Sequence, residues 1–493
     1  MPQNILVLGG SGKWSAKVYL PVILGDDAGD VKLAAIADPI DPRKSPHTQS
    51  FTPQFDRHHT KWIPLSGNLQ DDLAQLDRFI NLLEIHILAI VVPPYLNFDY
   101  LDWGISQGLD IICDKPPIVL PHQFGTPTAA HQLWQDFNDL CDRANQSSHR
   151  FYPRPCQIYM HLRRRSEDPY IKIYQGLQEV HNLTKQGLTY LQIHLNNGCY
   201  RFSDEYHLPG AHGYAQGLGT LNHTGYHLID FAAYCLVNAP PIATYIETKL
   251  ISCTLVDHVG SLTTDVSYGK LLGRSEFRNS ESSYKSNPEQ LQKKRWTPEN
   301  ETFDPSKISN GEVDINLVFA WKNGLNTQAT CEFQLSLHSR GCTRRTTPHY
   351  GQDCTHDEGR VSDTVVILQQ GPLQSFHLLL SDDSDDNGDL RLVRRLNPKV
   401  AQLLNQPPRV VYDLVLPRGE STLFPQQLVR TCLEVFANKW PQEKLAPLSL
   451  QSQKSTLELY VLAVGSAFGK YTSWWENSQL CCLDPDKIGS IIK

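Results

Sequence analysis

The stretch Asn4-Ile5-Leu6-Val7-Leu8-Gly9-Gly10-Ser11-Gly12-Lys13-Trp14-Ser15 decides how the rest of the chain is read. Asn4–Leu8 is a short apolar run of the buried-strand type, and glycines follow it at once. Residues Gly10-Ser11-Gly12-Lys13-Trp14-Ser15 match the pattern Gly-x-Gly-x-x-Gly with serine in the third place. A dinucleotide-binding turn requires such a pattern. No side chain fits where the chain reverses and its backbone meets a pyrophosphate, and a small residue is needed where helix packs on strand. Ser15 is small enough for that last role. The helix expected over Trp14–Leu24 aims its unpaired N–H groups at the same place. Gly10, Ser11, Gly12, Lys13, Trp14 and Ser15 are therefore the candidate cradle for a dinucleotide.

Working outward, Val31–Ala37 reads as a second buried strand ending at Asp38, 28 residues after Gly10. A carboxylate there accepts hydrogen bonds from ribose hydroxyls, or else caps a turn. Its charge repels a 2′-phosphate and favours NAD over NADP, while the nearby Arg43 and Lys44 keep NADP open. An amphipathic helix over Asp71–Leu83, a strand over Ile85–Val92, a helix over Phe98–Gln107 and a strand over Leu109–Cys113 continue the alternation. Near-continuous apolar strands separated by helices define a parallel sheet covered on both faces. After Lys115 the texture changes. A helix over His131–Arg143 is followed by a basic-aromatic segment to about Arg165. Long strands follow at Thr189–Asn196, Ala243–Thr254, Val313–Trp321, Thr327–His338, Val361–Leu368 and Gln374–Leu380, with Lys322-Asn323-Gly324 as a hairpin turn signal. A helix over Ser455–Phe468 closes the chain. The expected class is α/β: a Rossmann dinucleotide-binding domain over residues 1–150, then an α+β domain over 151–493 with an open, mainly antiparallel sheet. Insertions are expected near 279–311 and 340–400, and Ser381–Asp389 reads as a solvated acidic turn.

Composition narrows the partners. The 493 residues carry 45 Lys and Arg against 52 Asp and Glu, a net charge of −7 without a long basic block. That argues against nucleic acid, whose binding needs clustered cations. The longest apolar run, Ile87–Val92, is stopped by Pro93-Pro94, so no membrane span is expected. The amino terminus lacks the basic region of a signal peptide. Twelve cysteines without a Cys-x-x-Cys pair read as reduced thiols, and a cytoplasmic location is expected.

Three further segments carry a family resemblance: Val91-Val92-Pro93-Pro94, Cys113-Asp114-Lys115-Pro116, and Gly-Thr-Leu-Asn-His-Thr-Gly-Tyr-His-Leu-Ile-Asp over Gly219–Asp230. In this order the chain resembles the glucose–fructose oxidoreductase / inositol dehydrogenase (Gfo/Idh/MocA) family. Its members show a Thr-Pro-Pro-like strand end, a Glu-Lys-Pro motif and a later Leu-x-Asp-x-Gly-x-His-x-x-Asp helix. The resemblance implies that Lys115 lies beside the nicotinamide and the reacting carbon, and that His227 transfers the proton. It also implies that Pro93, Pro94 and Asn97 line the cofactor cleft, that the active site lies between the two domains, and that a homo-oligomer forms through the open sheet. Two positions depart from the pattern: His223 stands where the family has Asp, and Asp114 where it has Glu. The chain is also longer than the family's usual length.

Oxidising a secondary alcohol needs a base for the hydroxyl proton and a charge that steadies the developing alkoxide. His227 and Lys115 suit these roles. On an α-helix His223 and His227 share a face, so His223 is expected to orient His227, bind a substrate hydroxyl or act as a second acid/base. The pair lacks an obvious third ligand, and no metal is expected. Asp230 reads as structural. The Arg163–Arg165 run reads as a surface or loop–strand junction, with Arg165 a candidate to contact substrate. The function these readings imply is an NAD(P)-dependent oxidoreductase acting on a sugar, cyclitol or similar polyhydroxylated small molecule. The alternatives are an NAD-dependent glycoside hydrolase of the same fold and a non-catalytic dinucleotide-sensing regulator.

Overall fold

The computed structural model describes residues 3–25, 30–119, 127–196, 218–243, 245–255, 312–323, 328–338, 361–383, 388–416 and 423–466. Six strands form a wholly parallel sheet: β1 (Gln3–Leu8), β2 (Val31–Asp38), β3 (Lys61–Pro64), β4 (Ile85–Ile90), β5 (Asp110–Asp114) and β6 (Ile158–His161), in the order β3-β2-β1-β4-β5-β6. This is the doubly wound order. It reverses between β1 and β4, and the crevice outside the carboxyl ends of those strands is where such sheets bind ligands. Nearly every residue of β1, β2, β4 and β5 is buried because helices cover both faces. The helices of this part are a π-helical stretch Ser15–Tyr19 running into α1 (Leu20–Ile23), then α2 (Thr52–His58), α3 (Leu69–Leu82), α4 (Asn97–Ser106) and α5 (Pro127–Gln146). In α3, Asn68 caps the first turn by accepting from the Gln70 N–H, and Leu76 and Ile80 bury the apolar stripe.

The second sheet has eight strands: β7 (Tyr190–Asn196), β8 (Tyr245–Leu255), β9 (Glu312–Lys322), β10 (Ala329–His338), β11 (Val361–Gln370), β12 (Gln374–Asp383), β13 (Gly388–Leu396) and β14 (Arg409–Leu416). Their order is β14-β13-β12-β11-β7-β10-β9-β8, and only the β7–β10 pair is parallel. Alternate residues of the central strands, among them Leu191, Ile193, Phe333, Leu335 and Leu337, are buried on one face. The helices of this part are α6 (Arg163–Ser166), α7 (Asp168–Thr184), a π-helical stretch Leu221–Gly225 running into α8 (Tyr226–Asn238), α9 (Pro398–Leu403), α10 (Leu423–Phe436) and α11 (Lys454–Ser466). Gly176 of α7 sits against Phe376 and Gly225 against Leu337, so helices lie on that buried face.

Two expectations about domain limits need correction. β6 extends the first sheet beyond residue 150, and α10 returns from the far end of the chain to pack on the same sheet. Residues 361–396 of the second expected insertion are β11, β12 and β13, integral strands of the eight-stranded sheet. Residues 279–311 and 340–360 lie outside the described set, as do residues 384–387 of the acidic turn, whose ends Ser381–Asp383 and Gly388-Asp389 belong to β12 and β13. The antiparallel pairing of β9 with β10 agrees with the hairpin signal at Lys322-Asn323, and Gly324 lies outside the described residues. Among the described residues no helix is long and apolar enough to cross a membrane.

Candidate active site at the mouth of the parallel sheet

The glycine turn leaves β1 against the end of β4. Gly9 has φ +75°, and a Cβ there would stand 2.2 Å from the Val91 carbonyl oxygen. A Cβ on Gly10 would meet Ile36 Cγ2 at 2.5 Å, whereas on Gly12 it would meet only the Gly9 oxygen at 3.4 Å. Gly9 and Gly10 thus permit the close packing of strand and turn, and Gly12 leaves the backbone open to a ligand. Sequence reasoning passed over Gly9. The doublet Gly9-Gly10 directly after a strand was the available signal.

Asp38 ties this turn to the exit of β2. Its Oδ2 accepts the Ser11 N–H (3.0 Å) and its Oδ1 the Ile40 N–H (2.9 Å), and burial raises its pKa. Ser11 Oγ donates to the Ile40 carbonyl (2.7 Å), and Ser45 Oγ donates to the Ser11 carbonyl (2.8 Å). Each Asp38 oxygen keeps acceptor capacity for one more donor. Arg43 is committed elsewhere, to Asp56 (3.3 Å) and to the Thr60 carbonyl (3.1 Å).

The turn after β5 carries Lys115, joined to Pro116 by a cis peptide bond. Asn97, fully buried at the start of α4, donates from Nδ2 to the carbonyls of Asp114 (3.0 Å) and Pro116 (2.7 Å), and so holds the backbone on both sides of Lys115. Asp114 Oδ1 accepts the Lys115 N–H (3.0 Å). Burial pushes the Lys115 ammonium down to about 8; Asp114 opposes the shift, and Arg163 and Arg164 add to it. Pro93 and Pro94 stand half-buried just beyond the end of β4, the strand next to β5.

His227 lies in the first turn of α8. Burial holds its pKa well below the usual histidine range, and the charges of Lys115, Arg164, Arg163 and His161 deepen the shift. The imidazole is therefore neutral near neutral pH, with Lys115 close enough to be felt. His161 ends β6 opposite Asp114 in the strand register. Its Nε2–H donates to the Pro425 carbonyl (3.2 Å) and its Nδ1 stands 3.8 Å from Asp114 Oδ1. The rings of Trp14 and Tyr19 pack against it, with centroids 6.1 and 5.7 Å away. His161, Arg163 and Arg164 belong to the site electrostatically. The sequence reading missed this because β6 is short and lies within a basic-aromatic run.

Arg165 is a correction. It is buried, and all of its donors are taken by the protein: Asp230 from Nε (3.0 and 3.1 Å) and Nη2 (2.6 Å), the Pro447 carbonyl (2.6 Å), Ser452 and Thr456. It holds α6 to α8 and α11 and has no donor left for a substrate. His223 also departs from expectation. Its backbone lies in the π-helical stretch Leu221–Gly225, where the Gly225 N–H reaches back five residues to the Thr220 carbonyl (2.8 Å), so the α-helical spacing assumed for His223 and His227 does not apply. The His223 side chain is outside the described set.

A dinucleotide fits the residues present. Trp14 Nε1, Ser15 Oγ, Tyr19 Oη and Asn97 Oδ1 are buried around the crevice without a hydrogen-bond partner. Such orphaned groups are rare in a folded chain and suit a bound molecule rich in hydroxyl, amide and phosphate functions. Asn222 is buried beside the α8 entry with neither amide atom bonded, and Thr224 Oγ1 is likewise unbonded.

No family model matches the sequence, and no curated protein is similar to it. Solved structures do match. An oxidoreductase from Agrobacterium radiobacter in complex with NAD+, L-tartaric acid and magnesium is 12% identical, with 95% of this chain and 97% of that chain covered and a TM-score of 0.51. A myo-inositol dehydrogenase from Corynebacterium glutamicum is 11% identical, with 95% and 97% covered and a TM-score of 0.48. The first likeness shows the fold: a Rossmann-type parallel sheet followed by a mainly antiparallel sheet.

Proposed function

We propose that this chain is an NAD(P)-dependent oxidoreductase that moves a hydride between the nicotinamide and a polyhydroxylated small molecule such as a sugar or cyclitol. The observation that carries this reading is that Lys115, held at the carboxyl end of β5 by Asn97 and Asp114, lies near enough to His227 of α8 for its charge to be felt there. A matched solved structure in complex with NAD+ shares the fold. The dinucleotide, when bound, supplies the hydride acceptor or donor. Gly9–Ser15 and Asp38 would hold its phosphate and ribose end, and Trp14, Asn97, Pro93 and Pro94 would flank it.

In the oxidation direction His227 accepts the hydroxyl proton, for which it must be neutral, and its lowered pKa keeps it so. Lys115 hydrogen-bonds the same oxygen and stabilises the charge that builds there as the C–H bond breaks. Asn97 and Asp114 fix the Lys115 backbone. Asn222 and Thr224 supply unbonded polar atoms beside His227 for further hydroxyls. The less buried face of the eight-stranded sheet, bearing Tyr190, Gln192 and Gln334, is the proposed contact between copies of the chain.

Titration with NADH and NADPH followed by nicotinamide fluorescence tests the cofactor. Turnover of a polyol panel with NAD+ and NADP+ tests the chemistry. Saturable binding, together with turnover lost in Lys115→Ala while binding remains, is the expected result. Silence with both cofactors would remove the reading.

A further inference from the structure

Positive charge crowds the reacting end of this site more than a neutral polyol requires. Lys115 follows β5 and Arg163-Arg164 follow β6, on strands paired with Asp114 opposite His161. The Arg165–Asp230 clamp then fixes this turn against α8, where His227 lies one helical turn before Asp230. Two carboxylates answer the three cations. Asp114 lies beside Lys115, and Glu167 pairs with Arg163 at 2.9 Å. Arg164 has no carboxylate partner among the described residues.

Arg164 is nevertheless held in place. Its Nη1 donates to the Tyr170 hydroxyl (2.5 Å), its guanidinium stands 5.1 Å from the centroid of that ring, and its carbonyl accepts from Tyr174 Oη (2.9 Å). Tyr170 is itself buried, and its ring packs edge-on against Phe231 of α8 (5.3 Å), one helical turn after His227. The Arg164 side chain is only half-buried, so its remaining donors are open to a ligand. An immobilised, uncompensated guanidinium with unused forked donors is the arrangement that recognises a carboxylate or phosphate.

We propose that the substrate is an anionic polyol, bearing one carboxylate or phosphate that Arg164 binds beside Lys115 and His227. This rests on the reading of Lys115 and His227 as the reacting end, and the two are tested separately. NADH titration by calorimetry examines the cofactor site. Gluconate, glucose 6-phosphate and glucose are then titrated into the protein with and without saturating NADH.

The expected result is that gluconate or glucose 6-phosphate binds at least about tenfold more tightly than glucose, the scale of a charge-assisted hydrogen bond. Gluconate as the tighter ligand identifies a carboxylate substrate, and glucose 6-phosphate a phosphorylated one. Arg164→Gln is expected to erase the preference and Arg164→Lys to keep part of it. Should Arg164→Gln fail to fold, the wild-type preference and its reduction in Arg164→Lys decide the matter. Equal affinities for the three sugars in wild-type protein, or a preference intact in Arg164→Gln, would overturn the proposal while leaving the NADH result standing. Absence of NADH binding with the anion preference intact would instead sink the oxidoreductase reading alone.

Discussion

Burial acts on Lys115 and His227 in the same direction, against the protonated form, but their ordinary pKa values place them on different sides of the working pH. Lys115, brought to about 8, keeps its proton at neutral pH, and His227 has already lost its own. The kcat/KM profile for alcohol oxidation is therefore expected to be level through neutrality and to fall as pH rises through about 8, where Lys115 discharges. The acid limb should lie well below the ordinary histidine value of 6.5. A profile falling below pH of about 6.5 instead would mean that His227 is not the base. Lys115→Ala should lower kcat by roughly 10²–10⁴. Stability follows the same shift. Lys115 has a lowered folded-state pKa, so its charge costs stability below about 8, and that cost is relieved as pH rises toward the ordinary 10.5. The Arg165–Asp230 pair makes a separate prediction. Both side chains are buried, and Asp230 also accepts from Gln453 and Thr456. Asp230→Asn leaves Arg165 uncompensated and should cost about 3–5 kcal/mol in urea denaturation. A loss below about 1 kcal/mol would place the pair among the weak, solvent-screened ones.

At the scale of elements, the glycine turn separates packing from binding. Gly9→Ala forces a Cβ onto the Val91 oxygen at positive φ and should destabilise the fold by about 2–4 kcal/mol. Gly12→Ala meets only one atom at ordinary distance, so its Tm should barely move while NADH affinity falls about tenfold or more. Equal effects of the two substitutions on Tm would show that the turn is merely a tight corner. The same contrast explains what the sequence made legible. The strands that become β1, β2, β4 and β5 are continuous apolar runs bounded by glycine, proline or charge, and they read directly. β3 is Lys-Trp-Ile-Pro and β6 Ile-Tyr-Met-His, each too short for a periodic signal and each formed only because a neighbouring strand offers an edge. β13 carries Arg391, Arg394 and Arg395 within its alternation, and β14 opens on Arg409 and is broken by Asp413, so both escaped notice. In the site, Lys115 and His227 were legible through short motifs. Arg165 was assigned to the substrate although its neighbour Arg164 has the open donors, because one residue of helical phase decides which of three arginines turns inward. No composition or spacing rule encodes that phase.

The whole molecule closes on itself through α10. Its Val429, Cys432, Leu433 and Phe436 are buried, and it packs against the π-helical stretch Ser15–Tyr19, α1, β5, β6 and α6. Hydrogen bonds fasten it at both ends: Gln426 Nε2 to the Lys17 carbonyl (2.7 Å), His161 Nε2 to the Pro425 carbonyl (3.2 Å), and Gln3 Nε2 to the Phe436 carbonyl (3.2 Å). The Phe436 ring stacks on Tyr159 of β6 (5.6 Å). Burying four such side chains is worth about 6–10 kcal/mol, comparable with the total stability of an ordinary domain, about 5–15 kcal/mol. The parallel sheet thus depends on a segment more than two hundred and fifty residues downstream of its last strand, and the two sheets are expected to melt together. A fragment of residues 1–166 should lack a cooperative thermal transition and bind no NADH. Fusing residues 423–450 to it through a flexible linker should restore both, since Leu450 also donates its N–H to the Ile158 carbonyl (3.1 Å). A sharp melt and full NADH affinity in the 1–166 fragment would reduce α10 to a passenger on a self-sufficient domain. Recovery on adding the segment would show that the cofactor crevice is completed by the chain's far end, and that His161, held by Pro425, takes its position from there.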